Sequence, residues 1–487
     1  MSRCFPFVPS AVLRRAAGAA LGLALTMLVG AVPESRAQQP ATPSVTDTTQ
    51  VTFDEAIRIA LDQNTDVKRA QASARSSNAE VQAQWMDFAP DLSLSTDVSR
   101  RFGRNFSQVT GDFTTRSTDF FNLTGRSGIT LFNGFENTAS LRRAKDQARA
   151  SRLDLDRTRR EVAFTVMDQF ILLLESREQV RVRREQLQAL RQQLEQTEEF
   201  VDAGSSPVSD LYQQQADVAE AEQQLLQARR EREVSKTRLI QTLQLNPRQA
   251  YDFRVPELEE QSAVDSSYEL SSLIDEAFER RLDLKVAAAE RRAAEHEIRA
   301  ARSTYYPSLS IGGNYGTDWT SRGRIPDPNN PDQFISPDFS DQLNNNRGGG
   351  LSLSLSIPIF DRLQRNVQVE QAQVQAQNAE YNLQDQRQEV ALQVRQAYLD
   401  YRNAVQQLEA ANKRLKAAEQ ARTATQERYN LGAASIVELR NANRDFVDAA
   451  SQQVRARYNL LFQQKQIDYQ VGRLDPRRPL QSTQPTP

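Results

Sequence analysis

Residues Leu351–Ala372 read LSLSLSIPIFDRLQRNVQVEQA. The opening of this stretch alternates strictly: Leu351, Leu353, Leu355 and Ile357 are large and apolar, and Ser352, Ser354 and Ser356 between them are small and polar. Successive side chains of a strand point to opposite faces, so the pattern describes a strand with one face in an apolar medium and one in water. Pro358 closes it, and from Asn366 no proline or glycine occurs before Gly432. A strand of membrane type that feeds a very long helix is the reading from which the rest follows.

The same text occurs upstream. Phe132-Asn133 matches Phe360-Asp361 at an offset of 228, and that offset holds through Glu161/Glu389, Phe170/Tyr398, Gly204/Gly432 and Leu211/Leu439. An offset of 217 carries Asp66-Val67-Lys68 onto Asp283-Leu284-Lys285, Pro90 onto Pro307 and Leu92 onto Leu309. Such self-similarity marks an internal duplication. The 11-residue difference is an insertion within Thr320–Arg347, whose Asn, Asp and Pro residues predict a loop. The expected organisation is a leader at 1–37, an N-terminal linker at 38–50, a first repeat at 51–245, a linker at 246–267, a second repeat at 268–472 and a disordered tail at 473–487.

Each copy predicts a helix of moderate length, at Asp66–Phe88 and Asp283–Thr304, ended by proline. A first alternating strand follows: Leu92, Leu94 and Val98 in one copy, Leu309, Ile311 and Tyr315 in the other. After a loop comes the second strand, with Phe121, Leu123, Ile129 and Leu131 answered by Leu351, Leu353 and Leu355. Leu309, Ile311, Leu351, Leu353 and Leu355 are the expected lipid-facing residues. Periodicity alone also fits two hairpins of a soluble sandwich. Aromatic residues favour the membrane: Trp85, Phe88, Phe132, Phe135, Tyr305, Tyr306 and Phe360 fall at the strand bases, and Phe102, Phe120, Phe121, Tyr315 and Trp319 toward the loops, as two interfacial belts require.

Long helices are predicted at Asn137–Asp202 and Asn366–Asn430, returning through Pro207–Leu245 and Ile436–Gly472. In each copy the returning helix and the earlier short one together equal the long arm, giving an antiparallel pair with one arm broken. Val394, Tyr398, Tyr401, Val405, Leu408 and Leu415 follow the spacing of a coiled-coil seam. Gly204 and Gly432 end the outgoing helices. Pro207 is expected at the first position of the returning helix, and Ser435 with Glu438 reads as a capping box.

Arg3, Arg14 and Arg15, the apolar run from Ala16 to Val32, and Ser35-Arg36-Ala37 read as a cleaved secretory signal. A membrane anchor is the rival, but the run is short for a spanning helix. Removing the leader takes four arginines and one glutamate from 61 basic and 63 acidic residues and leaves a net charge of −5, which argues against nucleic acid as a partner. Cys4 lies in the leader. His296, flanked by Glu295 and Glu297, is expected on a solvated surface, with no second histidine or cysteine to complete a metal site. No phosphate loop, dinucleotide fingerprint or nucleophile elbow occurs. The reading is a protein without catalytic residues, cofactor or metal.

Six segments together resemble the TolC family of outer-membrane efflux proteins: TFDEAIRIALDQNTDV (52–67), ITLFNGFENTASLRRAK (129–145), DAGSSPVSDL (202–211), YYPSLSIGGNYG (305–316), LSIPIFDRLQRNVQVEQA (355–372) and YNLGAASIVEL (429–439). The resemblance implies a mainly α protein with membrane β structure. It implies a homotrimer whose twelve-stranded barrel, four strands per chain, continues into a periplasmic helical barrel of coiled-coil hairpins. It further implies an exit duct through outer-membrane lipid, partnered by a periplasmic adaptor and an inner-membrane pump of RND or ABC type, in tripartite efflux or type I secretion. The hairpin turns become the gate and docking end, with Gly204, Pro207, Ser209, Asp210, Tyr429, Gly432, Ser435, Glu438 and Asn441 as its residues and Asp210–Tyr429 as a pair. Ala434 departs from the family where a gating arginine is expected, and Asn441 stands where a second acid can occur. Asp210 is equally readable as a first-turn acid and Glu438 as a cap. A periplasmic adaptor or a coiled-coil scaffold is the alternative from another class.

Overall fold

The computed structural model describes residues 49–107, 111–254, 268–327 and 330–476. The predicted leader, nearly all of the N-terminal linker, and residues 477–487 lie outside them. The elements, in chain order, are β1 (Thr49–Thr52), α1 (Phe53–Gln63), α2 (Thr65–Met86), β2 (Ser93–Ser107), β3 (Asp112–Asn133), α3 (Glu136–Asp202), α4 (Val208–Thr242), β4 (Tyr251–Arg254), α5 (Leu270–Arg280), α6 (Leu282–Ser303), β5 (Ser308–Thr320), β6 (Ile325–Asp327), β7 (Asn330–Ile335), α7 (Phe339–Asn345), β8 (Gly348–Ser356), α8 (Gln364–Asn430) and α9 (Ile436–Val471). The chain is mainly helical, and among the described residues no helix is long and apolar enough to cross a membrane.

The six predicted helices stand within two or three residues of the expected bounds. At 67 residues each, α3 and α8 reach about 100 Å. α3 packs against both α4 and α2, and α8 against both α9 and α6, so each long helix faces a broken arm. The breaks are stitched by side chains. Asn64, buried before α2, donates to the Thr242 carbonyl that ends α4 at 3.2 Å and accepts from Asp66 N at 2.8 Å. Arg281, before α6, donates to the Gln470 side chain near the end of α9 at 2.6 Å.

Three differences from the sequence reading have physical causes. Short helices α1 and α5 precede the moderate ones, because Asn64 and Arg281 have the extended ψ that ends one helix and starts the next. Within the expected linker, Tyr251–Arg254 forms β4, which pairs parallel with β1 (Val51 opposite Phe253). Alternate burial drives it: Tyr251 and Phe253 pack with Phe53, Ile57 and Phe170 in the main core, Phe53 and Phe170 edge to face at 5.0 Å. The tail also begins in order, since Leu474 is buried there and Arg473 donates to Glu276 at 2.8 Å.

The coiled-coil seam is present: Val394 and Tyr401 are buried, with Tyr398, Val405 and Leu408 beside them, against Leu273, Leu460 and Ile467. His296 is not solvated. Its ring is largely covered between α6 and α3, with Nε2 3.5 Å from Asp146, and burial first, then Arg299, pulls its pKa down.

β2, β3, β5 and β8 form one antiparallel sheet in that order, with β2 and β8 as its edges. The loop expected between the first two strands is short, since β2 and β3 stay paired to Ser107 and Asp112. The Thr320–Arg347 excursion holds a small β6–β7 hairpin and α7. Strand passes to long helix through two left-handed residues, Gly134 and Phe135 before α3 and Arg362 and Leu363 before α8. Asn133 and Asp361, the matched pair, accept from the backbone N of Asn137 (3.4 Å) and Arg365 (2.9 Å) and so cap the first turn.

At Gly134 a Cβ would lie 2.5 Å from the Ser303 carbonyl and 2.8 Å from Tyr306, whereas at Gly432 it would meet nothing within 4 Å. Gly432→Ala is expected to cost about 1–2 kcal/mol, the left-handed penalty alone. Gly134→Ala adds a backbone clash, so its thermal transition by circular dichroism should fall several times further.

Candidate functional site

Register sorts the sheet into two faces. On one, Ile129, Ile311 and Leu353 form a row, as do Phe132, Leu309 and Leu355, and Val98, Phe121 and Trp319. Leu351 joins them opposite Gly313. The other face carries Ser308 opposite Ser356, Ser310 opposite Ser354 and Gly312 opposite Ser352. The five apolar residues singled out in sequence therefore share one face. On β8, at the edge, Leu351, Leu353 and Leu355 are 61–87% exposed, a solvent contact that large apolar side chains avoid. Two details differ from simple alternation. A bulge at Leu131 brings Phe132, not Leu131, opposite Leu309. Phe120, expected in the outer aromatic belt, stands on the polar face with Ser99 and Thr320, and Arg101 sits 4.8 Å over its ring.

At the far end, both turns close as Schellman motifs. Gly204, at φ 70°, donates to Val201 O, and Ser205 N donates to Phe200 O at 2.8 Å. Gly432, at φ 73°, donates to Tyr429 O, and Ala433 N donates to Arg428 O at 2.7 Å. Pro207 is the residue before α4, not its first, because its ψ of 148° is extended. Ser435 accepts from Glu438 N at 3.2 Å, half of the expected capping box, while the Glu438 carboxylate lies 3.6 Å from Arg428. Arg428 also donates to Ala433 O at 3.0 Å. Ser209 is exposed and donates weakly to Asp210 at 3.4 Å; Asn441 is exposed one turn beyond Glu438.

Asp210 and Tyr429 are brought together within one chain. Burial raises the Tyr429 phenol pKa, the nearby Asp210 carboxylate raises it further, and a hydrogen bond with Thr197 opposes both. The Thr197 hydroxyl donates to Gln193 O at 2.8 Å and is fully buried. Sequence reading missed a stronger link. Arg440 on α9 is ion-paired with Asp217 on α4, one guanidinium nitrogen donating at 2.9 Å, and the Asp217 side chain is only 14% exposed. The pair spans 223 residues and lines a cleft between the two hairpins that also holds Arg183, Gln224, Arg422 and Asp448. Among the described residues no cluster of three His, Cys, Asp or Glu side chains is arranged to hold a metal.

A family profile described as outer membrane efflux protein matches residues 56–243 and 273–473, which is most of the chain. The chain belongs to the outer membrane efflux protein family. Its place is the bacterial outer membrane, with the helical part in the periplasm. The pyoverdine export outer membrane protein OpmQ of Pseudomonas putida is 24% identical over 326 residues, covering 64% of this chain and 62% of OpmQ. The chain thus spans a little under two thirds of that curated relative's length. The outer membrane protein VceC of Vibrio cholerae superposes with a TM-score of 0.72 at 15% identity, over 86% of this chain and 96% of VceC. The CmeC outer membrane channel of Campylobacter jejuni gives a TM-score of 0.72 at 17% identity, over 86% of this chain and 85% of CmeC. At these identities the likeness is one of fold. CmeC is an outer membrane channel, and the family is one of outer membrane efflux proteins.

Asp217→Ala strands a mostly covered guanidinium between two hairpins, which costs on the order of 1–3 kcal/mol. Asp210→Ala removes a more exposed partner, worth about 1 kcal/mol or less. The thermal transition of the family member's helical part is therefore expected to drop further for Asp217→Ala.

Proposed function

We propose that three copies of this chain close into one twelve-stranded outer-membrane barrel, continued by a periplasmic helical barrel, and act as a passive exit duct. The observation that carries the reading is the four-stranded sheet with two free edges and one apolar, exposed face. Lipid does not tolerate open strand edges, and the smallest membrane barrels have about eight strands. Four strands from one chain are too few, and joining β8 of one copy to β2 of the next removes both edges. The apolar face runs along β5 from Trp319 to Leu309. Ten steps of about 3.3 Å at a tilt near 40° span about 25 Å, the height of an outer-membrane apolar band.

The two halves, 51–245 and 268–472, act as repeats that each give one strand pair and one hairpin. Their shared backbone conformation supports this: positive φ at Gly134 and Arg362, Phe135 and Leu363, and Gly204 and Gly432, all offset by 228. The hairpin turns are the gate and the docking end for a periplasmic adaptor, which in turn meets an inner-membrane pump. The Arg440–Asp217 ion pair and the hydrogen bond of Tyr429 with Thr197, beside Asp210, tie the two hairpins of a chain there, and Glu438 is used within its own turn by Arg428. With the turn geometry fixed by backbone bonds, the ion pair carries more of the lock than any single exposed contact. The chain performs no chemistry and needs no cofactor; the pump selects the cargo. OpmQ exports pyoverdine, which supports a role in export of small secreted compounds. The adaptor and scaffold readings are set aside by the family and by strands at the roots of both hairpins.

Two measurements check this reading. Leu353→Arg places a charge on the proposed lipid face and should cost about 2–4 kcal/mol near the bilayer midplane. Ser354→Arg points into the pore and should be milder. Trimer yield in outer-membrane fractions reads the difference, and equal loss would reverse the assignment of faces. At the tip, Arg440→Ala should raise single-channel conductance in planar bilayers more than Asp210→Ala or Tyr429→Phe does; unchanged conductance in all three would place the lock elsewhere.

A further inference from the structure

The excursion between β5 and β8 is fastened to the apolar face of the sheet. Phe339, the first residue of α7, meets Phe121 and Trp319 edge-on, with ring centroids 5.5 Å apart in each case. The Thr317 hydroxyl donates to Leu343 O at 2.7 Å. Phe121, Thr317 and Trp319 stand on the same face as Ile311 and Leu353. Gln342, buried, locks the segment: its Oε1 accepts from Thr320 N and its Nε2 donates to Pro337 O, each at 3.1 Å. In the β6–β7 hairpin Ile325 lies opposite Ile335, and Pro326 opposite Phe334. Ile325, Phe334, Ile335 and Phe339 are nevertheless 39–51% exposed.

We propose that this excursion is an outer-leaflet anchor, whose apolar side chains sit in lipid at the boundary of acyl chains and headgroups, outside the barrel and not over its mouth. The proposal rests on the barrel reading above, in which the apolar face meets lipid. Three observations favour lipid over other occupants. The contacts lie on the apolar face, so the segment is on the wrong side of the sheet to cover the pore. β5 is an interior strand, between β3 and β8, so the patch is set back from the edges through which copies join. The level also fits: Val98, Phe121 and Trp319 form the last apolar row shared by three strands, and the next row on that face is the Arg100–Asp119 ion pair, beyond which Phe102 and the Phe106–Phe113 pair continue on β2 and β3 alone. Trp319 suits that depth because its ring and its N–H prefer different sides of the boundary, and the phenylalanines beside it add apolar area.

Depth measurements by electron paramagnetic resonance test it. Single nitroxide labels are placed by Phe334→Cys and by Ile335→Cys, in a Cys4→Ser background, on trimers reconstituted into liposomes. Labels at Leu353→Cys and Ser354→Cys serve as references for the lipid and pore faces. Neighbouring strand residues point oppositely, so at least one of positions 334 and 335 is expected to collide more with oxygen than with a water-soluble nickel chelate, as position 353 does. If both collide mainly with the nickel chelate while position 353 favours oxygen, the anchor is overturned and the barrel stands. If position 353 also favours nickel, the barrel face is wrong and the anchor falls with it.

Discussion

A strand in hydrocarbon must hydrogen-bond along both edges, because no water is present to satisfy the backbone. This chain supplies four strands whose outer members, β2 and β8, have one partner each. The proposed barrel meets that requirement by joining β8 of one copy to β2 of the next. The apolar side chains share one face and serines line the other, while β2 and β3, at 15 and 22 residues, run past the length a bilayer needs. The face that looks like an error in an isolated chain is the one the proposed barrel turns to lipid.

The sheet then passes into the helices without a flexible joint. Two consecutive left-handed residues and a side-chain cap achieve this at both junctions. Gly134 also leaves room for Ser303 and Tyr306 at the end of α6, which docks the short helix against the base of the strands. The buried faces of α3 and α8 near the junction are rich in small residues such as Ala139, Ala144, Ala148 and Ala372, so helix backbones approach closely. Long helices are marginal alone and gain their stability from such packing.

At the other end the chain uses a different balance. The turns are set by backbone hydrogen bonds and two glycines, leaving side chains free to link hairpins. The Asp217–Arg440 pair is mostly covered, so breaking it leaves a charge without its partner; the more exposed contacts near Asp210 are weaker. Further from the turns the hairpins share apolar packing, with Phe164 of α3 against Phe462 and Tyr469 of α9.

Much of this was legible in the residues. Alternation at Leu351–Ile357, the proline- and glycine-free run before Gly432, and the duplicated Phe132-Asn133 and Phe360-Asp361 determined strands, helices, hinges and turns, because periodicity and chain breakers act over a few neighbours. The same locality explains what was missed. β4 is four residues long and exists because β1 and a distant core accept it. The bulge at Leu131 and the position of Phe120 depend on register with β5, which no alternation within β3 can report. His296 read as solvated until α3 covered it. Arg440 and Asp217, 223 residues apart, became partners only when two hairpins packed side by side. The sequence by itself determined each element and its faces; the tertiary structure decided which elements meet, because those contacts join residues far apart in the chain and are selected by packing, not by local preference.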